Sequence, residues 1–146
     1  MHRPVLLAGA ILAISTLIAA CSGSGGPAAG TSTVLAQSVG SNGTLLVAGS
    51  SGMTVYSFSK DVANSGSSAC TSTDDCIATW PALTAPSGTP PTAGPGVAGS
   101  LGTISRPDLS GAVQVTYNGL PLYVYSGDHA PGDSNGIYTD WNAVKP

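Results

Sequence analysis

One pattern occurs twice in this chain and limits the fold more than any other feature. Tyr56-Ser57-Phe58-Ser59-Lys60-Asp61 and Tyr123-Val124-Tyr125-Ser126-Gly127-Asp128 both read Tyr-x-aromatic-x-x-Asp, 67 residues apart, and each is followed by a Trp, Trp80 and Trp141. In a strand alternate residues share a face, so the two aromatics of each copy emerge together. The Asp stands three residues past the second aromatic, where a strand gives way to a turn and a carboxylate commonly accepts backbone N–H bonds. A unit repeated in this way predicts two similar halves related by an approximate two-fold axis.

The second copy shows the local structure most clearly. Ala112 to Tyr117 and Leu120 to Tyr125 are β-prone runs separated by Asn118-Gly119. Asn-Gly suits a type I′ hairpin turn because both central residues need positive φ. That turn sets Tyr117 opposite Leu120, Val115 opposite Leu122 and Val113 opposite Val124. The other face then carries Gln114, Thr116, Pro121, Tyr123 and Tyr125. In the first copy Ser51-Gly52 takes the turn position, so Ala48 faces Val55 and Leu46 faces Ser57. The expected fold is all-β: a small sandwich or irregular barrel made of two hairpin-containing halves, about 41–84 and 103–146. The Gly/Pro-rich stretch between them, Ala85 to Gly102, reads as a long mobile connector inside one domain of 41–146.

Composition agrees with strands and turns. The chain has 20 Gly, 11 Pro and only 8% charged residues, too few charges for a highly charged disordered chain. Beyond the leader the bases are Lys60, Arg106 and Lys145, set against seven Asp and no Glu. Nucleic-acid binding needs clustered Lys and Arg and is therefore not expected, nor is a polybasic membrane contact.

The N-terminus carries its own signal. Arg3 precedes a mainly apolar run, Val5 to Ala20, which is short for a membrane span and ends Leu17-Ile18-Ala19-Ala20-Cys21. An aliphatic residue, two small residues and Cys form a lipobox. Residues 1–20 are read as a lipoprotein signal peptide, with Cys21 as the lipidation site. Residues 21–40 are then the lipidated cysteine and a flexible Gly/Ser tether. The expectation is a protein held at the exported face of the cell membrane through its lipid. The other two cysteines, Cys70 and Cys76, bracket CTSTDDC. Their spacing is not the CxxC of redox enzymes and no histidine lies near, so a structural disulfide is expected.

Taken together, the two motif copies, Trp80-Pro81, the run Gln114-Val115-Thr116-Tyr117-Asn118-Gly119-Leu120-Pro121-Leu122-Tyr123, and the segment Asp128 to Gly136 with Trp141 resemble a known group. It is a family of bacterial secreted-repeat lipoproteins marked by a Yx(F/W/Y)xxD motif. The likeness runs from about Leu45 to Val144. It implies an exported or lipid-anchored repeat protein without an assigned activity, and it supplies no catalytic residues. The stretch before the last Trp, Ile137 to Asp140, is shorter than is usual in that family.

The residues themselves offer little chemistry. His129 is the only histidine beyond the leader, and Ser126, Asp128 and His129 lie in one turn without a nucleophile elbow. Asp128, Asp133 and Asn135 are oxygen ligands without calcium-loop spacing. The expectation is a non-catalytic envelope protein with a binding or structural role, needing no cofactor or metal. Its motif face would be Tyr56, Phe58, Asp61, Trp80, Tyr123, Tyr125, Asp128 and Trp141. The alternatives are an enzyme acting on envelope polysaccharide through Asp61 and Asp128, and a weak cation-binding module. The first alternative requires both carboxylates to converge in an open cleft; the structural reading requires them to accept backbone hydrogen bonds in their own turns.

Overall fold

The computed structural model describes residues 32–146; the leader, Cys21 and most of the tether fall outside the described residues. The strands are β1 (Val34–Ser38), β2 (Thr44–Ala48), β3 (Tyr56–Phe58), β4 (Thr84–Ala85), β5 (Leu101–Arg106), β6 (Ala112–Tyr117), β7 (Leu120–Pro121) and β8 (Trp141–Ala143). One single-turn helix, α1 (Cys76–Thr79), and three short 3-10 turns complete the described elements. The fold is all-β. β1 pairs with β2, β3 with β8, and β4-β6-β5 form a sheet with β7 on β6. These sheets stay open and do not close into a barrel.

The Asn-Gly hairpin forms as its residues dictate. Asn118 has φ 49° and Gly119 φ 82°, and Tyr117 pairs with Leu120. Pro121 lies opposite Thr116. Thr116 directs its backbone groups toward β5, so the missing N–H costs no ladder bond. Leu122 N–H still reaches Val115 O, at 2.9 Å. Beyond that the expected pairing fails. Val113 pairs with Ala85 and Ser105, and Val124 donates its N–H to Pro81 O.

The first hairpin differs by two residues from its expected register. Val47, not Gly49, bridges to Thr54, and Leu46 rather than Ala48 meets Val55. Ser51-Gly52 is not a two-residue turn. Residues 49–52 form a four-residue loop closed by Ala48 N–H on Met53 O, with Gly52 at φ 71°. A shift of two keeps every side chain on its expected face, because the strand period is two.

The two halves match bond for bond. Val55 N–H donates to Leu46 O and Leu122 N–H to Val115 O, both at 2.9 Å. A third segment then enters each hairpin. Leu46 N–H donates to Val144 O and Val144 N–H to Val55 O; in the other half Val115 N–H donates to Leu83 O and Leu83 N–H to Leu122 O. Val144 belongs to the second repeat and Leu83 to the first. Each half is therefore completed by a strand from the other. On the axis between them Tyr56 and Tyr123 exchange both backbone hydrogen bonds, at 2.8 and 2.9 Å.

This exchange produces one shared apolar core. Val34, Leu46, Ala48 and Val55 of the first half pack with Val115, Tyr117 and Leu122 of the second. The domain also begins earlier than expected, since buried Val34 and Val39 lie inside the segment assigned to the tether. Nor is the connector loose along its whole length. Thr92 to Pro95 bond to the outer edge of β1, with Gly94 N–H on Val34 O and Ala36 N–H on Pro95 O.

Candidate functional site

The motif residues meet at the seam between the halves, and they meet crosswise. Tyr56 Oη donates to Asp128 Oδ2 at 2.6 Å, and Tyr123 Oη donates to Asp61 Oδ2 at 2.7 Å. Each motif's tyrosine thus holds the other motif's aspartate. The second carboxylate oxygen is taken locally. Asp61 Oδ1 accepts Ala69 N–H and Asp128 Oδ1 accepts Asn135 N–H. Each phenol has one further neighbour from the opposing half: Gly136 N–H donates to Tyr56 Oη, and Ser68 Oγ lies 2.6 Å from Tyr123 Oη.

The strand alternation that carries Tyr56 and Tyr123 to the axis carries the second aromatics to the same side. There four rings form a column: Phe58, Trp141, Trp80, Tyr125. The centroid spacings are 4.4, 3.8 and 4.6 Å, and the two indoles are nearly parallel at 4°. The order again crosses the repeats, because Phe58 lies on the second repeat's Trp and Tyr125 on the first repeat's Trp. Tyr56 meets Trp80 edge-on and Tyr123 meets Trp141 edge-on. Such ring pairs add about 0.5–1.5 kcal/mol each beyond the area they bury.

Burial sets the electrostatics. Asp61 and Asp128 are only 9% and 7% exposed. Burial raises the Asp61 pKa above the usual carboxylate range, and the Ala69 N–H, the Tyr123 phenol and the Arg106 charge offset this only in part. Burial first, then the facing carboxylates, hold both Tyr56 and Tyr123 well above the normal phenol range. Both phenols therefore remain protonated donors at any physiological pH.

Beside this seam sits a group that the sequence reading did not single out. Arg106 is 2% exposed. Its Nε and Nη2 form a fork onto Asp108, Nη2 also reaches Cys70 O, and Nη1 donates to Gln114 Oε1. Gln114 Nε2 passes the chain on to Leu122 O. The available signal was an Arg-Pro-Asp spacing at a strand end in a chain with few charges. Cys70 and Cys76 are joined by a disulfide, and the Cys70 carbonyl is the one that the guanidinium reaches.

A family model described as a secreted repeat of unknown function matches the chain twice, over residues 38–84 and 102–145. The chain belongs to this family. No curated protein and no solved structure matches it.

In this secreted repeat the duplicated motif thus forms a contact between the two family units, beside the exchanged strands and the shared core. All eight motif-face residues of the sequence reading take part in it: Tyr56, Phe58, Asp61, Trp80, Tyr123, Tyr125, Asp128 and Trp141. The two carboxylates do not converge in an open cleft. Each is enclosed, and each accepts a backbone N–H from its own repeat. His129 lies on the surface, where its N–H and that of Ala130 cap Asp133 and lower the pKa of that carboxyl. Among the described residues no cluster of three His, Cys, Asp or Glu side chains is arranged to hold a metal ion. Ser68, Gly136 and Arg106 were not predicted, because their roles depend on contacts between repeats, and Gln114 was not because its role follows from the burial of Arg106.

Proposed function

We propose that this secreted-repeat protein is a lipid-anchored, non-catalytic module of the cell envelope, whose motif holds the fold together so that its outer surfaces can bind or organise envelope components. The observation that carries this reading is the reciprocal pair of Tyr–Asp bonds. Both carboxylate oxygens of Asp61 and of Asp128 are already occupied, so neither is open to a substrate proton. Among the described residues no buried side-chain nitrogen or oxygen is without a partner. A hydrolase using Asp61 and Asp128 would need at least one of them free and reachable.

The anchor is the other part of the proposal. The lipobox ending at Cys21 supports cleavage before that residue and acylation of its thiol. The membrane would then be reached through lipid, each buried CH₂ contributing about 0.8 kcal/mol. The excess of Asp over Lys and Arg supports partners other than nucleic acid.

One experiment addresses both parts. The wild type and Cys21→Ser are followed by acyl labelling and membrane fractionation, and Asp128→Asn is assayed for release of reducing ends from purified cell wall. Loss of label and of membrane retention in Cys21→Ser is expected, with no wall hydrolysis by any form. Retained label in Cys21→Ser would overturn the anchor. Wall hydrolysis that disappears in a still-folded Asp128→Asn would overturn the non-catalytic reading.

A further inference from the structure

The two halves are equivalent, yet one outer strand edge is covered and its counterpart is not. Ala36 pairs with Leu46 and Thr103 pairs with Val115, so Val34 and Ala36 on β1 correspond to Leu101 and Thr103 on β5. On β1 the outward groups are engaged: Val34 N–H on Thr92 O, Gly94 N–H on Val34 O and Ala36 N–H on Pro95 O. The added segment Thr92-Ala93-Gly94-Pro95 runs parallel to β1, with Ala93 bridging Val34.

On β5 the same groups have no such partner among the described residues. Val115 directs its N–H and C=O toward Leu83 and Leu122, so the even-numbered residues of β6 face β5. In that register Gly102, Ile104 and Arg106 bond to β6, while Leu101, Thr103 and Ser105 point outward. Residues 101–105 carry no charge and no proline, the devices that normally protect an open edge. A cavity of about 420 Å³ is lined by Leu101 and Thr103 together with Pro90 and Pro91.

We propose that the outer edge of β5 binds an extended, uncharged, Gly/Pro-containing peptide segment of another polypeptide, added as a parallel strand. The occupied edge of β1 is the template for this ligand. It also shows how the two sites differ in specificity. A Cβ at Gly94 would come within 2.7 Å of the Leu35 Cβ and 2.9 Å of the Ser32 Oγ, so the first edge demands glycine there. The counterparts of Leu35 and Ser32 on the second edge are Gly102 and Gly99. The second edge therefore accepts a side chain at the position where the first excludes one.

This inference goes beyond the anchoring proposal and can fail without it. The test uses the full exported chain with Cys21→Ser, titrated by NMR with two synthetic peptides. One reproduces residues 88–97, Gly-Thr-Pro-Pro-Thr-Ala-Gly-Pro-Gly-Val; the other carries valine in place of the glycine that corresponds to Gly94. Both are expected to bind saturably and to shift the amides of residues 101–105. Thr103→Pro, which removes one outward N–H and no ladder bond, should weaken both at least tenfold while leaving the thermal midpoint within a few degrees. Absence of saturable binding, or binding unchanged by Thr103→Pro, overturns the proposal. So do shifts confined to β1 with only the glycine peptide active, which would mark displacement of the chain's own connector. A concentration-dependent dimer abolished by Thr103→Pro would assign the edge to a second copy and also overturn it.

Discussion

Beneath β2 and beneath β6, the same three backbone positions solve burial in opposite ways. In the first half they are Val39, Leu45 and Val47, a small apolar cluster. In the second half they are Arg106, Gln114 and Thr116, all buried. The frame is shared, as the paired registers of β1–β2 and β5–β6 show. The covering differs. The disulfide-closed loop of the first repeat lies over the second half and presents the Cys70 carbonyl, which accepts from Ser68 Oγ and from Arg106. The buried guanidinium must then be satisfied in turn by Asp108 and Gln114. An apolar patch tolerates local loss, whereas a buried polar chain fails as a unit.

The strongest way to break this contrast is Arg106→Met. It strands Gln114 Oε1 and Asp108 and leaves the Cys70 carbonyl with Ser68 Oγ alone, and the expected loss is about 3–5 kcal/mol of unfolding free energy in urea. Val39→Ala at the matching position should cost only about 1–2 kcal/mol, since it deletes two methyl groups from an apolar cluster. Equal losses would mean that the polar chain has no special cost.

The seam should be even-handed where the flanks are not. Tyr56→Phe and Tyr123→Phe each remove one hydrogen bond to a buried carboxylate, with an expected loss of about 1.5–3 kcal/mol. The two values should agree within about 1 kcal/mol, because the locks are two-fold-related copies, each with one phenol–carboxylate bond and one further partner on the phenol. A double-mutant cycle between Tyr56→Phe and Asp128→Asn should show coupling, while Tyr56→Phe with Asp61→Asn should be closer to additive.

Reduction of the Cys70–Cys76 bond opens a short loop, and the chain-entropy relation gives about 2 kcal/mol for a loop of this size. The sharper expectation is where the effect appears. Hydrogen exchange should accelerate at residues 112–117 of the second repeat, although both cysteines belong to the first.

The smallest effect is a pH dependence carried by Asp108. The Arg106 fork, with help from the Ser72 N–H, lowers the Asp108 pKa below the ordinary 3.8. A depressed folded pKa means that this contribution is complete above about pH 4 and is lost as pH falls through the lower folded value. Asp61 has the opposite sign, since its raised folded pKa makes its ionisation in the fold unfavourable as pH rises from about 4. Asp108→Asn should therefore flatten the acid limb of the urea midpoint between pH 2 and 4, and Asp61→Asn should not.

What could be read from the sequence followed how local each signal is. Asn118-Gly119 encodes its turn in two residues, so the second hairpin and the Tyr117–Leu120 pair were legible. Ser51-Gly52 looked similar, but here glycine closes a four-residue loop, and nothing local separates the two cases. The motif faces survived that error because a two-residue slip preserves side-chain parity. The crossing of Tyr56 to Asp128 and of Tyr123 to Asp61 was not legible, because repeated units carry no local mark of which copy each contacts. The same holds for the entry of Leu83 and Val144 into the opposite hairpins. Arg106 escaped notice because a lone charged residue at a strand end usually faces solvent, and only the overlying Cys70 carbonyl brings it inside.

The insertion of Val144 between Leu46 and Val55 has a consequence for how a secreted chain matures. A polypeptide threaded outward from its N-terminus delivers its first hairpin early but receives the strand that finishes it only when nearly all the rest has crossed. Until then the first hairpin stays incomplete, whereas the second has its third segment, Leu83, waiting before residues 112–122 arrive; the half made first is therefore the half finished last.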